Sequence, residues 1–411
     1  MEVIYQRCCG LDIHKKTVVA CRLVWRDGEP EKEIRTFGTM TRDLLELSDW
    51  LQRYEVRHVA MESTGVFWKP IWNLLEGNFE LLLANAQHIK RVPGRKTDVK
   101  DCEWIAQLFQ HGLLQGSYVP DRGQRELREL TRYRTSLMRD RAREVNRLQK
   151  VLEGANIKLS AVASDIMGRS SRDILQALVQ GTTDSETLAQ LARGILRKKI
   201  PQLEQALLGF FSAHQSFLIA EQLAHLDYFD ESIQRVSQEI DERMRSFAEE
   251  LARLDEIPGI SRRAAEVLIA ELGVDMDRFP SYKHVAAWAG MCPGNYESGG
   301  KRRSGRVRKG NPWLRSVLMQ AAQSVGRMKG NYLGAQFRRL ASRRGNKKAA
   351  VAVGHSILVI AYHLLKKEVS YQELGSNYFD DHDRQAVERR SVRRLEALGY
   401  KVTLESLASA A

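Results

Sequence analysis

Residues 8–25 read CCGLDIHKKTVVACRLVW, two apolar runs separated by the polar triplet HKK. Runs of this length that are rich in valine, cysteine and leucine and bounded by a polar turn predict two adjacent β-strands. Asp12 lies within the first of them, where aspartate is disfavoured. An acid inside an apolar strand is therefore a candidate functional residue.

Strand and helix signals alternate along residues 1–115. Three consecutive strands followed by alternating helices and strands predict a mixed sheet with helices on its faces, an α/β domain. The predicted strands lie near residues 5–13, 17–25, 32–38, 57–61 and 79–84, and the predicted helices at Thr41–Tyr54, 67–76 and Asp98–Gln110.

Four carboxylates stand out in these elements. Asp98 and Asp101 are three residues apart and share one face of the predicted helix, while Glu62 closes the strand-like RHVAME. With Asp12 they form a candidate site for Mg²⁺ or Mn²⁺, because oxygen ligands suit these cations and crowded acids need a counter-ion. Such a site predicts phosphodiester chemistry. The alternative is that Asp98 and Asp101 only cap a helix and offset its dipole.

The next segment, residues 116–252, is predicted to form long helices. Arg122–Lys150 carries ten basic and four acidic residues, Glu204–Leu251 has apolar residues at helical spacing, and GTTDSET at 181–187 predicts a turn between them. This pattern favours a helical hairpin or a coiled coil for oligomerisation, with the arginine-rich helix free to contact nucleic acid. A plain helical linker bundle is the alternative.

Residues 253–370 are predicted to form a mainly helical domain, followed by a tail at 371–411. The domain begins with DEIPGISRRAAEVLIAELG at 255–273, whose Pro-Gly turn between two helices resembles a helix-hairpin-helix. In that motif backbone N–H groups contact a DNA phosphate. A simple turn between helices is the alternative.

The positive charge is concentrated in one block. The chain has 411 residues and a net charge of +13, yet residues 298–367 hold 17 Lys and Arg and no Asp or Glu. A segregated block predicts a phosphate-binding surface, since a merely solvated helix face usually interleaves acids. The candidate nucleic-acid-binding residues are Lys301, Arg302, Arg303, Arg306, Arg308, Lys309 and Arg315.

Ser298 opens this block in the sequence ESGGK. Two glycines follow it, and six of the nine residues from Lys301 to Lys309 are basic. Glycines allow close approach of the backbone to a phosphate, and arginines stabilise charge on it, so Ser298 is a candidate nucleophile. An ordinary Ser-Gly loop is the alternative.

Cysteine usage and hydropathy indicate a cytoplasmic protein. The five cysteines form no CxxC pair and no zinc-type spacing, which predicts reduced thiols, and the amino terminus has no apolar signal-peptide core. The most apolar run, AAVAVGHSILVIAYHLL at 349–365, has 17 residues and is expected to be a buried helix rather than a membrane span.

Five segments, in this order, resemble the motifs of the DEDD insertion-sequence transposases, also known as bridge-RNA-guided recombinases. They are GLDIHKK, AMESTG, GRKTDVKDCEWIAQLF, IPGIS and PGNYESGGKRRSGRVRKGNPWLR. The resemblance implies a ribonuclease-H-like (RuvC-like) first domain in which Asp12, Glu62, Asp98 and Asp101 bind metal. It also implies a catalytic serine at Ser298, with Ser304 as the lesser candidate.

The resemblance further implies a reaction and partners. The serine would attack a DNA phosphodiester, and a structured bridge RNA would pair with donor and target DNA. The active assembly would be a homo-oligomer, a dimer or tetramer. Two other functions stay open: a junction-resolving metal nuclease that uses water, which would tolerate loss of Ser298, and a non-catalytic nucleic-acid scaffold.

Overall fold

The computed structural model describes residues 2–26, 29–63, 65–85, 89, 100–293, 296–298, 301–304, 307 and 309–405. The chain separates into two compact units, Met1–Arg122 and Gly123–Ala411. The finer division into domains at 1–115, 116–252, 253–370 and 371–411 stays a prediction.

The first unit contains a six-stranded mixed sheet. Its strand order is β3-β2-β1-β4-β5-β6. β1 pairs antiparallel with β2 and parallel with β4, which places it in the centre of the sheet. The strands are β1 (Arg7–Ile13), β2 (Thr17–Arg26), β3 (Glu29–Gly38), β4 (His58–Glu62), β5 (Glu80–Ala84) and β6 (Gly116–Ser117), and the helices are α1 (Thr41–Arg53), α2 (Trp68–Leu75) and α3 (Asp101–Gln110).

Both faces of β1 are buried, and alternate residues serve different layers. Cys9, Leu11 and Ile13 belong to a core cluster that includes α1 and α2. Cys8 belongs to a second cluster that includes the apolar side of α3. α3 therefore lies against the face of the sheet that also carries Gly10 and Asp12.

The predicted mixed sheet with flanking helices is confirmed, with differences at the ends of elements. β6, which is only two residues long, was not predicted, because so short a strand carries no alternation. The last helix was predicted to begin at Asp98, but α3 begins at Asp101, after an extended Lys100 with φ −62° and ψ 147°. Asp98 itself lies outside the described residues.

The second unit is mainly helical. The long helices of its first half are α4 (Arg122–Gly154) and α9 (Ala213–Arg243), and the short ones between them are α5 (Leu159–Val162), α6 (Arg169–Val179), α7 (Ser185–Ala189) and α8 (Ile200–Leu207), with a 3-10 turn at Gly194–Lys199. The later helices are α10 (Ala248–Asp255), α11 (Arg262–Leu272), α12 (Tyr282–Trp288), α13 (Pro312–Arg327), α14 (Tyr332–Arg344), α15 (Asn346–Lys367), α16 (Tyr378–His382) and α17 (Arg384–Glu396), with 3-10 turns at Arg245–Phe247 and Met276–Arg278.

α4 and α9 run antiparallel. Arg141 of α4 donates to both carboxylate oxygens of Asp230, at 2.5 and 2.9 Å. Arg243, the last residue of α9, pairs with Glu126 near the start of α4 at 2.6 Å. The expected helical hairpin is thus present within one chain, while its expected role in oligomerisation stays a prediction.

The connection between the two long helices is longer than the sequence predicted. GTTDSET provides only the link from α6 to α7, where Asp184 caps α7. The helical pattern predicted over Glu204–Leu251 is present, but it is divided among three helices, because the first ends at Leu207, α9 begins at Ala213, and α9 ends at Arg243. At the first break a Cβ on Gly209 would lie 2.5 Å from the carbonyl oxygen of Ala155, and Ser212 begins α9 with a capping box.

The Pro-Gly segment forms the predicted turn between two helices, α10 and α11. Gly259 has φ +87°, and a Cβ there would lie 2.7 Å from the carbonyl oxygen of Ala321 in α13. The turn therefore packs closely on its own unit, as a simple inter-helix turn does. Its expected contact with a DNA phosphate stays a prediction.

The apolar run at 349–365 lies in α15, as predicted. α15 is the one helix of the described residues that is long and apolar enough, by length and composition, to cross a membrane. Val353, Ile357 and Ala361 are fully buried in the main core cluster of the second unit. In this structure α15 is a core helix.

A two-stranded hairpin interrupts the helices of the second unit and was not predicted. β7 (Tyr296–Ser298) pairs antiparallel with β8 (Lys301–Ser304). The sequences YES and KRRS contain no alternation of apolar and polar residues, so they lack the signal that identifies a strand. Ser298 pairs with Lys301, so it is the last residue of β7.

Candidate active site

Asp12 and Glu62 lie at the same edge of the sheet, on neighbouring parallel strands. The register pairs Gly10 with Ala60 and Leu11 with Met61. One residue further along, each strand carries a carboxylate, so Asp12 and Glu62 share the face on which Gly10 and Ala60 lie. Adjacent strands are about 4.8 Å apart, which brings the two acids to one locality.

Asp101 is brought near Asp12 by the close packing of α3 on β1. A Cβ on Gly10 would lie 2.4 Å from both the amide nitrogen of Ala106 and the carbonyl oxygen of Cys102. Only glycine permits this approach. Asp101, as the first residue of α3, is thereby held close to the end of β1.

The pKa of Asp12 reflects this environment. Burial of its carboxyl raises the pKa above the usual value, and the negative charge of Asp101 raises it further. His14 opposes both effects, with its Nε2 atom 3.2 Å from the Asp12 carboxylate. A carboxylate whose charge is disfavoured by burial and by a neighbouring acid is the arrangement expected where a cation binds.

Three of the four predicted acids lie in the described residues. Asp12, Glu62 and Asp101 come from β1, β4 and α3, and Asp98 lies outside the described residues. Within the described part of the chain no three ligand-capable side chains are already close enough to hold a metal ion. The oxygen donors that are present have the chemistry that suits Mg²⁺ or Mn²⁺.

The cysteines near this site are unreactive. Burial raises the pKa of Cys8 and of Cys21 to about 12, and that of Cys102 to about 11. Cys8, Cys9, Cys21 and Cys102 are buried free thiols. Since the thiolate is the nucleophilic form, these buried thiols are structural.

The segment that carries Ser298 is anchored where it enters and leaves the core of the second unit. Pro293 and Val307 form an isolated bridge between the two arms. On the core side of this bridge the two arms are again in close contact, since a Cβ on Gly310 would lie 2.2 Å from the amide nitrogen of Gly290. Ser298 is therefore presented at the far end of a short hairpin whose base is fixed.

Asn311 fixes the exit from the hairpin, and sequence reasoning did not identify it. Its Oδ1 atom accepts from the amides of Trp313 and Leu314, at 3.0 and 3.1 Å, and caps α13. Its Nδ2 atom donates to Glu271 at 2.6 Å. Glu271 is completely buried in α11. Its place as an acid within the apolar stretch AAEVLIAEL was the sequence signal that it needs a buried polar partner.

The arginine-rich helix α4 is predicted to contact nucleic acid, and much of its charge is neutralised inside the second unit, which leaves fewer of its arginines for that contact. Arg132 donates to both carboxylate oxygens of Glu271, at 2.7 and 2.8 Å. Arg134 pairs with Glu266 at 2.6 Å, and both side chains are buried. Removing one member of such a pair costs about 3–5 kcal/mol, since the other charge is left buried and alone.

The structure describes the predicted basic residues only in part. Lys301, Arg302 and Arg303 belong to β8, but their side chains, like that of Ser298, are outside what the structure describes. Arg306 and Arg308 lie wholly outside the described residues. Lys309 is exposed, and Arg315 is half-buried in the first turn of α13.

Two family models match the chain. One, described as a transposase, is the DEDD model of the IS110 group and matches residues 9–157. The other, described as the transposase IS116/IS110/IS902 family, matches residues 251–338. The chain belongs to this transposase family. The two matched segments together span more than half of the transposase and include the acids and Ser298.

Two bacterial relatives agree with this assignment. The transposase is 25% identical over 319 residues to a Pseudomonas aeruginosa PAO1 protein named "Probable family 20 transposase", covering 76% of this chain and 85% of the relative. It is 32% identical over 126 residues to a Sinorhizobium fredii NGR234 protein that is also named as a transposase, covering 29% of this chain and 32% of that protein.

Membership of the family defines the activity at a coarse level. The transposase is an enzyme of DNA recombination, and its substrate is DNA. DEDD transposases generally use a divalent metal. Asp12, Glu62 and Asp101 carry oxygen donors of the kind that such a metal binds.

Proposed function

We propose that this transposase is the site-specific recombinase of an insertion sequence and that Asp12, Glu62, Asp98 and Asp101 form its metal-binding tetrad. The observation that carries the proposal is the meeting of β1 and α3, where Asp101 raises the pKa of Asp12. The first unit would then be a ribonuclease-H-like (RuvC-like) domain. The strand order, with β1 between β2 and β4, supports that fold.

The cation would be Mg²⁺ or Mn²⁺. When bound, such an ion neutralises crowded carboxylates and stabilises negative charge on a phosphate. The protein's own part is to hold Asp101 on α3 and Asp12 on β1 close together, through the glycine contact at Gly10. Glu62, one strand away, adds a third carboxylate at the same edge of the sheet.

Ser298 would be the nucleophile. Its hydroxyl loses a proton, its oxygen bonds to the phosphorus of a DNA phosphodiester, and the bond from phosphorus to the leaving sugar oxygen breaks. The leaving oxygen takes up a proton and becomes a sugar hydroxyl. Attack by the hydroxyl of another strand then reverses the step and joins the new DNA. The position of Ser298 at the end of an anchored hairpin supports this role.

The basic block would hold the DNA backbone during this exchange. Lys301, Arg302, Arg303 and the basic residues that follow lie on or near the hairpin that bears Ser298. Guanidinium groups bind phosphates with paired hydrogen bonds and are suited to this position. We further propose that a structured bridge RNA pairs with donor and target DNA. The active transposase would be a homo-oligomer, either a dimer or a tetramer, and it would work in the cytoplasm.

A covalent adduct tests the choice of nucleophile. Wild-type protein incubated with its DNA and Mg²⁺ is expected to give a protein–DNA species that survives detergent, because a phosphoserine ester is a covalent bond. Ser298→Ala should abolish both the adduct and recombination while DNA binding changes little. The matched control is Ser304→Ala, in the same hairpin, which should keep both.

Other outcomes select other functions. If Ser298→Ala cuts DNA at the wild-type rate and no adduct forms, the enzyme is a junction-resolving nuclease that uses water. If the adduct maps to Ser304, the mechanism stands and the choice of serine is wrong. If the wild-type protein binds nucleic acid but neither cuts nor joins DNA in Mg²⁺ or Mn²⁺, the non-catalytic scaffold function replaces the recombinase.

A further inference from the structure

The C-terminal tail packs on α14. The tail lies beyond the segments that match the transposase family, which end at residue 338. Phe379 of α16 stacks on Tyr332 with the ring centroids 5.0 Å apart, and Tyr378 meets the same ring edge-on at 5.1 Å. Arg339 of α14 lies over the Phe379 ring at 5.5 Å. These contacts give the tail a defined position on α14.

A cavity of about 570 Å³ lies between α14 and the tail helices. Its size falls within the range of roughly 300–1,000 Å³ that is usual for small-ligand sites. Four arginines line it together with serine hydroxyls and one acid. The arginines are Arg338, Arg339, Arg343 and Arg390, and the acid is Asp380.

The positive charge of this cavity is not balanced by the described residues around it. Arg338 and Arg390 donate to neutral carbonyl groups, those of Met328 at 2.6 Å and Ala386 at 2.9 Å. Among the described residues, the arginines that line the cavity form one ion pair, between Arg339 and Asp380 at 3.8 Å. The cavity therefore holds an excess of guanidinium groups that repel one another, and an anion would relieve that repulsion.

We propose that this cavity binds a phosphate of a single-stranded nucleic acid, with Arg343 of α14 and Arg390 of α17 as the principal contacts. Planar guanidinium donors match phosphate oxygens, the volume of the cavity is in the range usual for small ligands, and both arginines are exposed to an incoming strand. The proposal rests on the nucleic-acid role proposed above, and it adds a site that is separate in sequence from the hairpin and the acids.

The test compares two pairs of substitutions that remove the same charge. Arg343→Gln with Arg390→Gln alters the cavity. Arg344→Gln with Arg389→Gln is the matched control, since these neighbours do not line the cavity and Arg389 donates to a carbonyl of its own helix just as Arg390 does. Binding to labelled single-stranded DNA and RNA of one sequence, about 12 nucleotides long, is measured by fluorescence anisotropy in EDTA at several salt concentrations.

The cavity pair is expected to weaken binding about 10-fold at low salt and to reduce the salt slope by about 0.7 for each phosphate that the variant no longer neutralises. The control pair should keep the wild-type slope. A stronger effect on RNA or on DNA identifies the natural strand. Equal effects of the two pairs would overturn the proposal, because the cavity would then be only part of a general positive field.

Two further measurements keep the result decisive. Thermal unfolding of both pairs shows whether the fold survives, and Arg343→Lys with Arg390→Lys replaces the glutamine pair if it does not. The lysine pair should weaken binding with an unchanged salt slope, because it keeps the charge and removes the planar donors; wild-type affinity would contradict the proposal. If the wild-type protein binds neither strand, the nucleic-acid role itself fails, independently of the cavity.

Discussion

Asp12 is expected to destabilise the metal-free transposase at neutral pH. Its pKa is raised in the folded chain by burial and by Asp101, so the folded state disfavours the charged carboxylate relative to the unfolded state. Stability is therefore expected to fall as pH rises from the usual pKa of 3.8 through the raised value. Above that window the full penalty applies, and a bound cation would remove it.

Asp12→Asn should therefore stabilise the metal-free fold and abolish metal binding. In EDTA at neutral pH the variant is expected to unfold at a higher temperature than wild type, and the difference should disappear below the usual pKa of 3.8. Added Mn²⁺ should raise the midpoint of the wild type only. Asp49→Asn, on the exposed side of α1, is the control and should change neither property. A less stable Asp12→Asn variant would contradict the argument.

Single residues were predictable where a polar group interrupts a simple pattern. Asp12 stood out inside an apolar strand and Glu62 at the end of another, and both lie in the strands expected. The start of α3 at Asp101 was not predictable, because the propensity of the residues before it does not fix where a helix begins. Asn311 was missed because its role depends on Glu271, which is 40 positions away in sequence.

Among the elements, α3 depends on one glycine for its position. A side chain at residue 10 would meet the backbone of Cys102 and Ala106 at 2.4 Å, so Gly10→Ala must push α3 away from β1. We expect a loss of about 1–3 kcal/mol of stability, as overpacking usually gives. Mn²⁺ binding should also weaken, because Asp101 moves with the helix.

Gly154→Ala is the matched control for that substitution. Gly154 ends α4, and nothing lies within 4 Å of a Cβ built there. Its effect on stability should be small, about 1 kcal/mol or less. Urea unfolding and Mn²⁺ titration measure both variants. Wild-type Mn²⁺ affinity in Gly10→Ala would show that the position of α3 does not control the metal site.

Elements with a clear period were predicted and those without one were not. The alternation in β1 and β2 and the long amphipathic stretches of α4 and α9 carry their own signals. The breaks at residues 208–212 and after Arg243 interrupt a continuous apolar pattern, so they were invisible to periodicity. The β7–β8 hairpin is polar and short, and it forms because tertiary contacts fix both of its ends.

At the scale of the whole molecule, the segregation of positive charge predicted the type of substrate. It was a weaker guide to where on the protein that substrate binds. The basic block at 298–367 and the DNA substrate of the family agree. The arginines of α4 looked equally suitable in sequence, yet Glu266 and Glu271 neutralise several of them. Sequence composition does not show which charges meet across a fold, and the three-dimensional pairing decides which remain for a partner.

The salt dependence of DNA binding tests whether the arginines of residues 302–308 make the main contact with DNA phosphates. Each phosphate neutralised on duplex DNA contributes about 0.9 to the slope of log affinity against log salt, because counterions are released. A variant with four arginines of residues 302–308 changed to alanine should therefore show a shallower slope, by up to about 3.6 if each contacts one phosphate. The four are Arg302, Arg303, Arg306 and Arg308.

The control removes the same charge elsewhere in the second unit. The control variant changes four arginines on or near α9 and α10 to alanine, and each of these arginines forms an ion pair with an acid. They are Arg235, Arg243, Arg245 and Arg253. Because these groups are already neutralised by carboxylates, the slope should stay at the wild-type value. Equal changes in the two variants would mean that DNA responds to the net charge of the protein. An unchanged slope in the hairpin variant alone would move the contact surface to other basic residues, and the arginines of the C-terminal cavity would be tested next.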